Sequence, residues 1–259
     1  MFEFILSLTE WIGIGVSMVV ATMVGLLVYF SSHKLISRCQ TEDLKDPMSS
    51  LFRVVGMLVG LMLSLAFADV VLQTTAIKNA IEREVAAISD TFEGLRHFDS
   101  EKTQEIRTLI IDYTQAIIDD DWPTLTNDML GRKAGAIKRR LTDKIMDLQA
   151  ETPIQKRALS RIEADVDVIS DSRLTRLDNA LADPPAYVYV IIFGFLITMA
   201  CFGVYRPQTP LIVLVSLYTS LVGLVLYLIL SLSDPFQGAM RVDPTTLEHL
   251  VDRFESYQR

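Results

Sequence analysis

Acidic side chains are the residues here whose type and crowding come nearest to chemistry. Asp119, Asp120 and Asp121 run together ahead of Trp122, and a second concentration lies between Glu163 and Asp171. Clustered carboxylates suggest a divalent cation. Calcium loops, however, space their oxygen ligands around a glycine-containing turn, and neither stretch has that pattern. Runs of like charge belong on solvated helix faces, and both stretches are read that way. The three histidines, His33, His97 and His249, stand far apart with no metal-ligand spacing. No nucleophile elbow, phosphate loop or zinc motif is present. The sequence thus presents no catalytic residue, no metal ligand and no cofactor site, and it reads as something other than an enzyme.

One acid differs from the rest by its surroundings. Asp69 sits inside an apolar run, where a carboxylate is costly unless it faces water or a partner. It is a candidate for an ion path, or else it marks the end of the run at the lipid interface. In a ring of subunits it would form an acidic collar, attractive to cations. Gly56, Gly60, Ser64 and Ala68 precede it at a spacing of four. Such a ladder lets helices approach closely, or lines a pore.

The elements that position these residues are four long apolar stretches, from Trp11 to Phe30, Val54 to Leu72, Ala186 to Tyr205 and Leu211 to Leu232. Each is near the roughly 20 residues that cross a hydrocarbon core of about 30 Å. With half of the 259 residues hydrophobic, the chain lacks the polar surface a soluble globule needs. The expected fold is an all-α polytopic membrane protein. Residues 1–72 form an N-terminal transmembrane hairpin, 73–183 an extramembrane helical bundle, 184–232 a second hairpin and 233–259 an amphipathic tail. The formal charge of −8 provides no basic stripe for nucleic acid. The two cysteines, Cys39 and Cys201, both lie outside the polar insert, so no disulfide framework is read there.

Lys34, Arg38, Lys45 and Arg53 gather in the loop 31–53, and Arg206 in the loop 206–210. By the positive-inside rule these loops are cytoplasmic, which puts the insert and both termini outside the cell (inner) membrane. The n-region is acidic, with Glu3 and Glu10, and the first run exceeds an h-region, so the first helix is expected to remain in the protein.

The insert reads as helix from end to end. Ile77, Ile81, Val85, Ile88, Phe92 and Leu95 form one stripe at helical spacing, and Ile106, Leu109, Ile110, Tyr113 and Ile117 a second. A third runs through Leu130, Ala134, Ile137, Leu141, Ile145 and Leu148. The fourth follows a capping box at Thr152-Pro153-Ile154-Gln155 and includes Ala158, Ile162, Val166, Ile169 and Leu177. Four such stripes joined by short turns predict an antiparallel bundle. No Gly or Pro interrupts the chain between Gly60 and Gly94, so one helix is expected to run on from the second span. Asp183-Pro184-Pro185 is expected to break the return helix. In the tail, Leu247, Leu250, Val251 and Phe254 form a stripe that requires either the bundle or the lipid surface as its partner.

Two short sequences carry a resemblance. The stretch Asp112 to Pro123 holds Asp112, Tyr113, Asp121, Trp122 and Pro123, a Tyr in an insert helix followed by acid, Trp and Pro. Just after the last span, Asp234, Pro235, Phe236 and Gly238 make an acid followed by Pro-Phe-x-Gly. In these motifs and in its two-hairpin layout the chain resembles a family of bacterial and plant four-span membrane proteins labelled bestrophin-like, a domain of unknown function. The resemblance implies ion, especially anion, conduction. From the residues themselves, Trp122-Pro123 is expected to end a helix, and Phe236 to anchor a turn at the membrane surface.

Two functions follow. The first is an oligomeric ion channel or pore of homo-oligomeric build in the lipid bilayer, passing inorganic ions. The second is a non-conducting scaffold or sensor whose extracytoplasmic bundle binds a partner. A stator-like unit coupled to proton flow would place the insert in the cytoplasm, against the charge bias.

Overall fold

The computed structural model describes residues 10–36, 45–125, 131–180, 187–233, 236 and 243–258. Its elements are α1 (Glu10–Ile36), α2 (Lys45–Gly94), a 3-10 turn (Leu95–His97), α3 (Ser100–Ala116), a π-helical segment (Ile117–Asp121), α4 (Trp122–Leu125), α5 (Lys133–Met146), α6 (Pro153–Ala180), α7 (Tyr187–Phe202), α8 (Thr209–Ser233) and α9 (Thr245–Gln258). The described residues include no strand. The chain divides into two compact units, residues 1–72 with 183–241, and 73–182 with 242–259. The division falls inside α2, which is a single helix of 50 residues.

Among the described residues, three helices are long and apolar enough to cross a membrane: Trp11–Ile36, the helical stretch Asp46–His97 and Thr209–Ser233. The third apolar run forms α7, which is shorter, 16 residues against the run expected from Ala186 to Tyr205. It stops early because its last turn tightens. The amides of Gly203, Val204 and Tyr205 donate to the carbonyls of Ala200, Cys201 and Phe202, satisfying end groups that a continuing helix would use otherwise. His33 Nδ1 lies 2.8 Å from the Gly203 carbonyl and ties α1 to that turn.

Within the first unit, Val59, Ala66 and Val70 of α2 bury against Val188 and Ile191 of α7 and Ile229 of α8. Phe195, Met199, Val215 and Val222 make a second cluster between α7 and α8. Helices α1 and α8 approach closely at Gly223, where any side chain would come within 2.9 Å of the Ser17 carbonyl oxygen. Ser17 Oγ donates to the Gly223 carbonyl at 2.9 Å across the same contact. A small residue and a hydroxyl are what hold helices together where no hydrophobic difference from the solvent drives association.

The second unit is built on the apolar stripes. Ile77, Ile81, Ile88 and Phe92 of α2, Ile106, Ile110 and Tyr113 of α3, Leu141 and Ile145 of α5, and Ile162, Val166 and Ile169 of α6 are buried together. The capping box opens α6: Gln155 N donates to Thr152 Oγ1 at 3.2 Å, and Gln155 Oε1 accepts from Thr152 N at 2.9 Å. Helix α9 packs on the bundle. Leu247, Leu250, Val251 and Phe254 are buried, and the Phe254 ring stacks on Phe92 with centroids 4.2 Å apart. Arg107 covers the other side of this pair, with its guanidinium carbon 5.1 Å from the Phe92 centroid. Arg253 adds a hydrogen bond to Ser89.

The helix does not end at Trp122-Pro123 as expected; it continues to Leu125. The π segment from Ile117 to Asp121 runs directly into α4, and Pro123 is the second residue of that helix. The Asp183-Pro184-Pro185 break, together with Leu130, Asp234, Pro235 and Gly238, lies outside the described residues.

Candidate functional site

The second unit contains a buried ionic network, and the Tyr-acid-Trp motif is part of it. Glu84 of α2 and Arg176 of α6 are almost wholly buried and bonded to each other, Arg176 Nε to Glu84 Oε2 at 3.1 Å. The Tyr113 hydroxyl, on α3, donates to Glu84 Oε1 at 2.6 Å. Asp121, at the end of the π segment, accepts from Arg176 Nη2 at 3.2 Å and from Arg173, whose Nε and Nη2 both lie 3.2 Å from it. Trp122 lies beneath, its ring centroid 5.6 Å from the Arg176 guanidinium carbon. Two carboxylates and two guanidiniums balance, which is the condition for keeping charge inside a bundle.

The chain geometry explains how Asp121 reaches its partners. Opposite it sits Gly131, where an added Cβ would come 2.9 Å from the Asp121 Cα, so only glycine lets the two backbones pass. The π segment turns Asp121 inward while Asp119 stays exposed. The expectation that the Asp119 to Asp121 run is a solvated face is therefore wrong at its last member. Asp120 is half-buried and accepts from the Lys133 amide at 2.9 Å.

Burial and neighbours set the protonation of the network. Burial, reinforced by the nearby Glu84 carboxylate, pushes the Tyr113 phenol well above its ordinary 10.0. For Arg176, burial works against the charge, but Glu84, Tyr113 and Asp121 outweigh it and the guanidinium pKa moves up. The arrangement is a charge-paired anchor joining α2, α3, the π segment and α6. It makes Tyr113 a fixed donor whose proton is held tightly.

That state predicts an alkaline limit on stability. A folded-state pKa above the unfolded value stabilises the bundle fully below about pH 10, and the contribution disappears as pH rises through the folded value. Tyr113→Phe is expected to cost about 1.5–3 kcal/mol at neutral pH, the worth of a hydrogen bond to a charged group. It should also flatten the fall in melting temperature above pH 10. An unchanged alkaline slope in thermal scans would remove Tyr113 from the network's energetics.

In the first unit the sequence candidates divide. Asp69 is half-buried and bonded, its Oδ2 accepting from the Tyr187 hydroxyl of α7 at 2.7 Å. Gly60, Ser64 and Ala68 are exposed and Gly56 half-buried, and at Gly60 nothing lies within 4 Å of an added Cβ. The ladder is therefore turned away from the described helices. Of the second motif only Phe236 is described. It is in a turn and 2% exposed, so it packs inside and is no surface anchor. Asp112 and Pro123 are exposed and take no part in the ionic network.

The bestrophin-like domain family matches residues 14–247, most of the chain. The chain belongs to the bestrophin-like family. Its fold is shared with crystal structures of a bacterial Bestrophin homolog from Klebsiella pneumoniae. One single-site variant has a TM-score of 0.69 at 12% identity, with 95% of this chain and 98% of that one covered. A second variant also scores 0.69 at 12% identity, covering 93% and 97%. A further crystal structure described as a membrane protein scores 0.64 at 12% identity, covering 94% and 97%. At such identities the likeness is one of fold. No curated protein matches.

Three members of the network in this bestrophin-like chain, Glu84, Arg173 and Arg176, escaped the sequence reading. Their signal was present. Glu84 stands between Ile81 and Ile88 at stripe spacing, and Arg173 and Arg176 continue the buried row of Ile162, Val166 and Ile169. A charge on an apolar stripe announces a buried partner, although it does not say which one.

Proposed function

We propose that the chain assembles as a homo-oligomeric ion channel in the lipid bilayer, with copies of α2 around the path and inorganic ions as the species conducted. The observation that carries this reading is the uncovered ladder. An apolar helix that turns Gly60, Ser64 and Ala68 away from its own chain is suited to meeting a second copy closely or to lining a path between copies. Family membership supports it, since the bestrophin-like resemblance implies ion conduction. Gly56, Gly60 and Ser64 would belong to the path or its walls. Asp69 would belong to its mouth, with Tyr187 holding the carboxylate in place.

In this reading α7 is the third crossing, residues 73–183 stand outside the bilayer and the tail 233–259 follows the last span. The charge bias places the insert and both termini outside the cell (inner) membrane. A reporter active only in the cytoplasm should signal from fusions within residues 37–46 and stay silent in the insert or after Arg259. The reverse pattern would overturn the orientation while leaving the channel reading intact.

Flux into liposomes containing the purified chain tests conduction itself. A ring of Asp69 carboxylates would concentrate cations, so Asp69→Asn should lower cation flux and move the reversal potential toward anions under a salt gradient. Tyr187→Phe keeps the charge and should leave the reversal potential in place. Equal reversal potentials for wild type and Asp69→Asn would take Asp69 out of the path. No flux above empty liposomes would sink the channel and leave the scaffold.

A further inference from the structure

In an acidic chain, α5 is conspicuously basic. With the preceding Arg132 it carries Arg132, Lys133, Lys138, Arg139, Arg140 and Lys144 against a single acid, Asp143. Lys144 is paired with Glu105 at 2.7 Å. The side chains of Arg132, Lys138 and Arg139 make no hydrogen bond or ion pair with any described residue. These three cations and Arg173 line one cavity of 540 Å³ beside α5. Such a volume suits a small ligand.

The cavity has a defined shape. Arg132 and Arg139 are seven residues apart, about 10 Å along a helix. Between them Gly135 and Ala136 form a floor of small residues. Arg173 closes the far side: an added Cβ at Gly135 would lie 3.6–3.8 Å from its guanidinium. Arg173 is itself fixed by two hydrogen bonds to buried Asp121, so it faces the cavity at low entropic cost. Among the described residues, Asp143 is on the lining, Asp121 is bonded to Arg173, and Asp167 and Asp171 of α6 with Glu84 act on Lys138 and favour its charged form. Burial and Arg173 pull the Lys138 amine down and outweigh these carboxylates.

We propose that this cavity binds a phosphate oxyanion, free or carried on a small organic molecule, between Arg132, Lys138, Arg139 and Arg173. Planar guanidinium forks and a compact ammonium around a floor without side chains match the several acceptor oxygens of phosphate. A monovalent halide would engage fewer of these donors.

Titration calorimetry of the full chain in detergent tests this, with inorganic phosphate and separately a nucleoside monophosphate added at constant ionic strength set by chloride. Saturable binding is expected. Arg139→Gln should weaken it about tenfold or more, the worth of a charge-assisted hydrogen bond. Ala136→Glu, which puts a carboxylate on the exposed edge of the floor, should abolish it. Arg140→Gln, an exposed cation of α5 that does not line the cavity, should leave it intact. Thermal scans of each variant separate lost binding from lost folding, and any variant that melts early is replaced by Arg132→Gln. Tighter binding of the nucleotide assigns the site to phosphate esters, and equal or weaker binding to free phosphate. No saturable heat with either probe, or equal weakening by Arg140→Gln and Arg139→Gln, overturns the site.

Discussion

Replacing Arg176 by Met is expected to destabilise the helical bundle by about 3–5 kcal/mol, the cost of breaking a buried ion pair from one side. The side chain is fully buried and bonded to both Glu84 and Asp121. Without it, among the described residues, Glu84 keeps only the Tyr113 hydroxyl and Asp121 only Arg173, and both carboxylates remain buried. Melting temperature should fall by on the order of 10 °C for a chain of this size. Trp122 and Trp11 are the chain's two tryptophans, and Trp122 lies against the guanidinium, so its fluorescence should report the loss. A double variant, Arg176→Met with Glu84→Gln, should regain most of the stability, because it leaves Asp121 paired with Arg173 and the penalty comes from stranded charge more than from lost attraction. A single variant that melts with the wild type would show that the network holds nothing together.

Ala76→Pro is expected to cost about 3 kcal/mol or more, since an interior proline removes one helical hydrogen bond and clashes with the preceding turn. Ala76 is exposed on the uninterrupted α2, four residues beyond Leu72, so little of the effect comes from packing. Limited proteolysis should then cut between Leu72 and Ala80 where the wild type resists, and in liposomes the variant should lose flux. Ala76→Ser, which keeps the amide, should behave as wild type in both assays. Equal resistance to protease in the proline variant would mean that the continuity of α2 is not needed.

Much of the architecture was legible in the residues, because length and period are local properties. Long apolar runs without charge specify helices suited to a bilayer, and the matches at α1, α2 and α8 follow from that alone. The stripes in the insert became buried faces for the same reason, and the capping box at Thr152 needs residues only three apart. The resemblance to the bestrophin-like family was also read from contiguous residues, and the family match over residues 14–247 shows the membership.

Tertiary structure decided what occupies each face. The tail stripe demanded an apolar partner, and only the fold chose the bundle, by stacking Phe254 on Phe92. Asp121 looked like the end of a solvated acidic run. It is buried because a π segment rotates it towards Arg173 and Arg176, residues 52 and 55 positions away. Asp69 finds Tyr187 across a separation of 118 residues. Periodicity reports which side of a helix is apolar, but a hydrogen bond between distant residues depends on the packing of two elements. A carboxylate's role therefore stays hidden until the partner that neutralises it has been brought alongside.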